Sequence, residues 1–174
     1  MRLFIAIDFN ELGEYFSYLQ KQLPTNSKLN LTKSFHLTLK FLGEVQPDKA
    51  KMVVSSLKSI KFESFYVLLD SIGAFPSKGH IRVVWAGLQP EDKILKLQKE
   101  IDDSLKYLFR KEKDFNAHVT LARVKSVEDR KLFFDAMERI KIEKKKIMIK
   151  DFRLVKSVLT PNGSIYEDLV VFNP

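Results

Sequence analysis

The sequence predicts an α+β fold of two βαββ-type lobes, related by a pseudo-twofold axis, whose antiparallel sheets flank a central cleft. Three observations predict it. The stretch His-Leu-Thr-Leu beginning at His36 returns as His-Val-Thr-Leu beginning at His118, 82 positions later. Each copy is followed by a helix-like stretch and then by two strand-like stretches around a tight turn, so one supersecondary unit is read twice. No run rich in Gly, Ser or Pro separates the copies. The lobes are therefore expected to share one core as a single bilobal domain over residues 1–174, with the repeat covering about 36–88 and 118–172.

The elements follow in order. Residues 2–8 ("RLFIAID") are β-rich and apolar up to Asp8, which reads as a first strand. Residues 10–23 have helical spacing, start at Asn10 as a cap and stop before Pro24. "FHLTLKFLG" is a strand ended by Gly43, and Pro47 opens a helix to about Ile60, proline being tolerated in a first turn. "FYVLLDSIGAF" and "HIRVVWAGL" form a hairpin about the turn "PSKG". Pro90 starts a helix running to about Arg110, "AHVTLARV" is again a strand, and residues 127–140 are again helical. "KIMIKDFRLVKSVL", the turn "TPNG" and "SIYEDLVVF" close the chain as a second hairpin. A shift of 82 lays helix 47–60 over helix 127–140, Val67 on Ile149, and "PSKG" close to "TPNG".

Composition narrows the function classes. Hydrophobic residues make up 45% of the 174, enough for a packed interior and too many for a disordered chain. The absence of cysteine excludes disulfides, thiolate zinc sites and a cysteine nucleophile. Asp8 interrupts the apolar opening, which reads as a strand rather than a signal peptide, and no apolar run is long enough for a membrane helix. A cytoplasmic monomer is the expectation. The net charge of +8, from 30 Lys+Arg against 22 Asp+Glu, favours anionic partners such as nucleic acid. Lysines scattered along helices make a solvated surface equally well, and "KIEKKKIMIK" reads as the approach to a strand rather than an RNA clamp.

Side chains alternate along a strand, so His36 and Thr38 share one face while Leu37 and Leu39 share the other; His118 and Thr120 repeat the pattern against Val119 and Leu121. The apolar pairs anchor the strands, which leaves two imidazoles and two hydroxyls for the cleft. Histidine titrates near neutrality, so one ring can accept a proton while the other donates one. Phosphodiester cleavage needs both, on opposite sides of phosphorus, and the hydroxyls of Thr38 and Thr120 can hydrogen-bond the non-bridging oxygens. No metal or cofactor is required. A single His-x-Thr on a strand is ordinarily a satisfied or surface residue; two copies in matching places of a repeat point to function. A zinc site lacks a third ligand with suitable spacing, and His80, outside the motif, reads as a turn histidine.

The paired "HLTL" and "HVTLAR" resemble the two signature tetrapeptides of the two-histidine phosphoesterases. More narrowly they resemble the branch called 2′-5′ RNA ligases or RNA 2′,3′-cyclic phosphodiesterases. "RLFIAIDF", "HLTLKFLGEV", "IRVVWAGL" and "SVLTPNGSIYEDL" share the resemblance, which covers essentially the whole chain; Ala117 departs from it, standing where many members have proline. The resemblance implies a bilobal α+β fold and metal-independent hydrolysis of a terminal RNA 2′,3′-cyclic phosphate to a 2′-phosphate, with 2′-5′ RNA ligation accessible to the same residues. It implies that His118 is the proton acceptor for water, that His36 is the donor to the departing 3′-oxygen, and that Thr38, Thr120 and Arg123 contact the phosphate. Simple alternation puts Arg123, five positions after His118, on the wrong face, so the strand must end, twist or bulge there unless Arg123 only caps the surface. Phe41 has the same offset from His36 and reads as core packing, with base stacking as the alternative. Tyr166 and Trp85 read as cleft lining or as core and rim packing. The expected partners are RNA ends or nucleotides bearing a 2′,3′-cyclic phosphate. Two alternatives stay open: a non-catalytic RNA- or nucleotide-binding module, and a phosphodiesterase for small cyclic nucleotides or 2′-5′ oligonucleotides.

Overall fold

The computed structural model describes residues 1–75 and 80–174, so the expected "PSKG" turn lies outside the described residues. The chain begins with β1 (Arg2–Asp8), a 3-10 turn (Asn10–Leu12), α1 (Gly13–Gln20), β2 (Ser27–Leu31) and β3 (His36–Glu44). It continues through α2 (Pro47–Leu57), β4 (Phe65–Phe75), β5 (Val83–Gln89), α3 (Asp92–Ser104) and β6 (His118–Val127). It ends with α4 (Arg130–Glu138), β7 (Lys146–Ile149), β8 (Phe152–Thr160) and β9 (Gly163–Phe172). Among the described residues no helix is long and apolar enough to cross a membrane.

Local chemistry accounts for the element ends. Proline occupies the first turn of α2, where its missing N–H costs nothing, and Ala50, Val53 and Leu57 recur at helical spacing to form the buried stripe. The Asp129 side chain accepts from Leu132 N at 3.0 Å and caps α4, a contact worth about 1 kcal/mol. The third helix stops at Ser104 rather than continuing to Arg110, because Asp102 accepts the backbone N–H of Glu112 at 2.9 Å and draws the chain back. Residues 24–34, which carry no strand signal above, contain β2, a short and mostly exposed edge strand. "KIMIKDFRLVKSVL" is not one strand but two: the chain turns at Lys150–Asp151, so β7 and β8 enter different sheets.

The architecture is α+β, with two antiparallel sheets in the orders β3-β1-β8-β9 and β2-β6-β5-β4-β7. The element series β1-α1-β3-α2-β4 recurs as β5-α3-β6-α4-β8. The sheets do not coincide with these halves. In the first sheet β3 and β1 are joined by β8 from the later series; in the second, β6 and β5 are joined by β4 from the earlier one. The helices cross over too, with α1 on β6 and α3 on β3. One apolar cluster runs through both, from Ile5, Phe16 and Leu37 to Leu121, Phe133 and Phe152. Each fully buried side chain of this size contributes about 1.5–3 kcal/mol. Phe4, Ala6 and Val155 form a separate small cluster on the other face of the first sheet.

Candidate active site

A cleft of about 510 Å³ lies where β3 and β6 approach each other, and His36, Thr38, Phe41, His118, Thr120 and Arg123 all line it. The five residues expected to act on a phosphate are therefore brought together, while His80 is exposed and lies elsewhere. Within each motif the leucine or valine neighbours point into the core: Leu37, Leu39, Val119 and Leu121 are all buried.

A bulge brings Arg123 to the cleft. In the pairing of β5 with β6, Trp85 stands opposite Thr120 and Val84 opposite Ala122, so Leu121 is an extra residue. Leu121 and Ala122 are consecutive buried positions, the alternation slips by one, and Arg123 emerges exposed on the side of His118 and Thr120. The bulged carbonyl of Leu121 does not go unpaired: it accepts from Thr32 N at 2.9 Å and from Nε2 of the buried Gln20 at 2.8 Å. The same slip occurs in β3. Leu39 is extra between Thr38, opposite Ala6, and Lys40, opposite Ile5. Phe41 thus occupies the place that corresponds to Arg123. It is 66% exposed and lines the cleft, which overturns its reading as core packing: the bulge turns outward a side chain that alternation turns inward.

The bulge in β3 also sends Lys40 inside. Its side chain is 1% exposed, and Nζ donates to Asp102 Oδ1 at 2.6 Å and to the Arg110 carbonyl at 2.7 Å. Asp102 is completed by Gln98 Nε2 at 3.0 Å and Glu112 N at 2.9 Å. Every partner is satisfied, as a buried pair requires, and losing one member of such a pair costs about 3–5 kcal/mol. This network ties β3 to α3 and to the segment that leads into His118.

Each imidazole sits among aromatic rings. His36 lies 5.0 Å from the Phe4 ring and 5.0 Å from Tyr166, edge-on to the latter; His118 lies 5.3 Å from Phe75, also edge-on. Burial is the largest influence on both. It lowers His36 from 6.5 to about 4, with Asp8 pulling upward and Arg123 and His118 adding to the depression. It lowers His118 as well, opposed by the backbone contact to Asn116 and assisted by Arg123. That contact runs from Nδ1 to the Asn116 carbonyl at 2.8 Å. A carbonyl only accepts, so Nδ1 carries the hydrogen, and in the neutral ring Nε2 holds the lone pair.

Tyr166 lines the cleft beside His36, one of its two expected roles. Trp85 takes the packing role: it lies 4.9 Å from Phe75 and so close to Gly73 that a Cβ there would overlap the indole. Four contributors carry no motif. Asp8, opposite His36 in the β1–β3 pairing, is visible in the sequence only as the charge that ends an apolar run. Asn116 acts through its backbone. Gln20 is a polar residue at a position that helical spacing from Phe16 assigns to the interior, and that mismatch is the signal by which it can be found; Lys40, which alternation places on the cleft face, goes inside only through the bulge and leaves no such signal.

The profile of the LigT like phosphoesterase family matches the chain twice, over residues 8–85 and 87–166. A relative from Archaeoglobus fulgidus, named RNA 2′,3′-cyclic phosphodiesterase, is 37% identical over 177 residues and covers 99% of each chain. One from Methanocaldococcus jannaschii with the same name is 38% identical over 171 residues, covering 96% of this chain and 97% of its own. Among solved structures, a Thermus thermophilus protein superposes with a TM-score of 0.82 at 25% identity, covering 99% of this chain and 97% of that one. E. coli LigT complexed with 3′-AMP gives 0.77 at 27% identity, with the same coverage.

Proposed function

The chain belongs to the LigT-like phosphoesterase family, and from that premise we propose that it is an RNA 2′,3′-cyclic phosphodiesterase in which His36 and His118 carry the two proton transfers. The observation that carries the site assignment is the convergence of two imidazoles, two threonine hydroxyls and one guanidinium on a single cleft. Water attacks phosphorus and its proton passes to Nε2 of His118, the nitrogen that the Asn116 carbonyl leaves free. The bond from phosphorus to O3′ breaks, and a proton from His36 neutralises the departing oxygen. A 2′-phosphomonoester results, and solvent returns the proton from His118 to His36.

Thr38, Thr120 and Arg123 hold the non-bridging oxygens, where charge grows in the transition state. Burial keeps His36 neutral in the free protein. A phosphate anion between the rings offsets Arg123 and favours the protonated imidazole that the donor role needs. Ligation through a 2′-5′ bond is the same displacement with a 5′-hydroxyl in place of water as the nucleophile. A cytoplasmic monomer acting on RNA ends completes the proposal.

His36→Ala and His118→Ala are each expected to lower turnover of a 2′,3′-cyclic phosphate by about a hundred- to ten-thousand-fold, while binding of a 2′-phosphate product is largely kept. Turnover by the wild type is expected to survive a strong chelator, and phosphorus NMR is expected to show the 2′-monoester. A folded His118→Ala protein with wild-type turnover overturns the assignment. A binding module, by contrast, would turn nothing over in any variant.

A further inference from the structure

We propose that the strip formed by β2 and the far end of β6 binds the phosphate backbone of the RNA strand that leads into the terminal cyclic phosphate. This rests on the cyclic-phosphodiesterase reading and adds to it that the substrate is a polynucleotide end rather than a free nucleotide. The strip begins at the cleft. Past Arg123, Val124 is buried and Lys125 is exposed, so Lys125 stands on the Arg123 side, about 7 Å further along the strand. On β2, Asn30 is paired with Arg123 and Lys28 with Ser126, residues two apart or directly opposite share a face, and a second slip that leaves Lys125 unpaired keeps both Lys125 and Ser126 exposed. Lys28, Asn30, Arg123 and Lys125 are all exposed and make one continuous surface. Its joint to the cleft is Thr32, which lines the cleft while its N–H holds the bulged Leu121 carbonyl.

Charge gives this surface a direction. Lys40, Lys111, Lys144, Lys145, Lys156 and Arg153 are neutralised by carboxylates. Among the described residues Lys28, Arg123 and Lys125 take part in no ion pair. At the other end of β6 the cleft lining is of mixed charge, with Asp114, Glu112 at 3.8 Å from Lys40 Nζ, and Arg2. An RNA strand leaving the proposed catalytic pair is therefore drawn out along Arg123, Lys125 and Lys28, where the positive charge is unopposed. Lysine on an edge strand such as β2 also guards against edge-to-edge aggregation. That accounts for Lys28; Lys125 lies past the last residue that β6 pairs with β5 and is skipped in the pairing with β2.

The test compares a short single-stranded RNA ending in a 2′,3′-cyclic phosphate with the matching cyclic mononucleotide, for the wild type and the double variant Lys28→Ala/Lys125→Ala. Fluorescence anisotropy of a 3′-phosphorylated RNA of the same length runs alongside. The wild type is expected to prefer the oligonucleotide at low salt. The variant is expected to lose about tenfold in kcat/KM on the oligonucleotide and none on the mononucleotide, with the salt slope of RNA binding flattened by about 1.4, at about 0.7 per phosphate contact. Equal loss on both substrates, no loss on either, or a wild type indifferent to length each overturns the strip and leaves the cyclic-phosphodiesterase reading standing. Failure of the wild type to turn over either substrate overturns that reading instead, and the anisotropy comparison still decides the strip.

Discussion

In the proposed reaction His36 and His118 share a predicament: a ring that must carry a proton at one stage is packed against aromatic rings that disfavour charge. The effect on pH dependence follows from the sign. With both groups lowered from 6.5, His36 to about 4, the free protein holds one neutral and one protonated ring only on the acid side of 6.5. The kcat/KM profile is therefore expected to be bell-shaped with its maximum below that value, and kcat to peak at higher pH because bound phosphate raises both rings. A kcat/KM maximum above pH 7.5 would contradict the account. Stability moves with the same groups: the unfolded chain takes up the proton first, so the contribution of neutral His36 is complete above 6.5 and is lost as the pH falls towards 4. At this scale the two histidines and two threonines were legible because their types and spacing are repeated. Asn116 was not, since a backbone carbonyl leaves no mark on residue type, and Asp8 showed only as an interruption.

The strands were legible where alternation or an apolar run marked them, and illegible where the register slips. Nothing in "HVTLAR" says which residue is extra, because Leu121 and Ala122 are both apolar and can be buried side by side. The need for a bulge could be argued from Arg123, whereas Phe41, an aromatic that suits either face, offered no such conflict and was misplaced. The short edge strand β2 lacks a buried apolar face, and the break between β7 and β8 depends on sheet partners that no local pattern encodes. Packing between β4 and β5 has a testable tight point. Gly73 lies under the Trp85 indole, and Phe75 bridges that ring to His118. Gly73→Ala is expected to destabilise by about 1–3 kcal/mol, as overpacking does, and to lower kcat more than it alters KM. A thermal melt and steady-state kinetics check both; a melt equal to wild type would mean that the indole moves freely.

Because each sheet contains strands from both series, neither half of the chain can close a sheet alone. Residues 1–80 lack the β8 on which β1 leans, and residues 81–174 lack the β4 that lies beside β5. Each fragment is expected to give no cooperative melt, and the whole chain a single transition, with Trp85 fluorescence and far-ultraviolet dichroism coinciding. Two separated transitions would show that the halves fold independently. The repeat made the α+β class and the cleft legible, but not this interleaving, since a repeat says which segments correspond and not which ones pair. The paired bulges carry a different lesson. A body with an unbroken twofold axis could not tell its two histidines apart: a substrate turned about that axis would meet the same site with donor and acceptor exchanged. Here the two slips present unlike residues at matching places: Phe41 against Arg123 at the rim, and Lys40 against Ala122 beneath. The proposed catalytic pair keeps the twofold plan of the repeat, and these four side chains give it a left and a right.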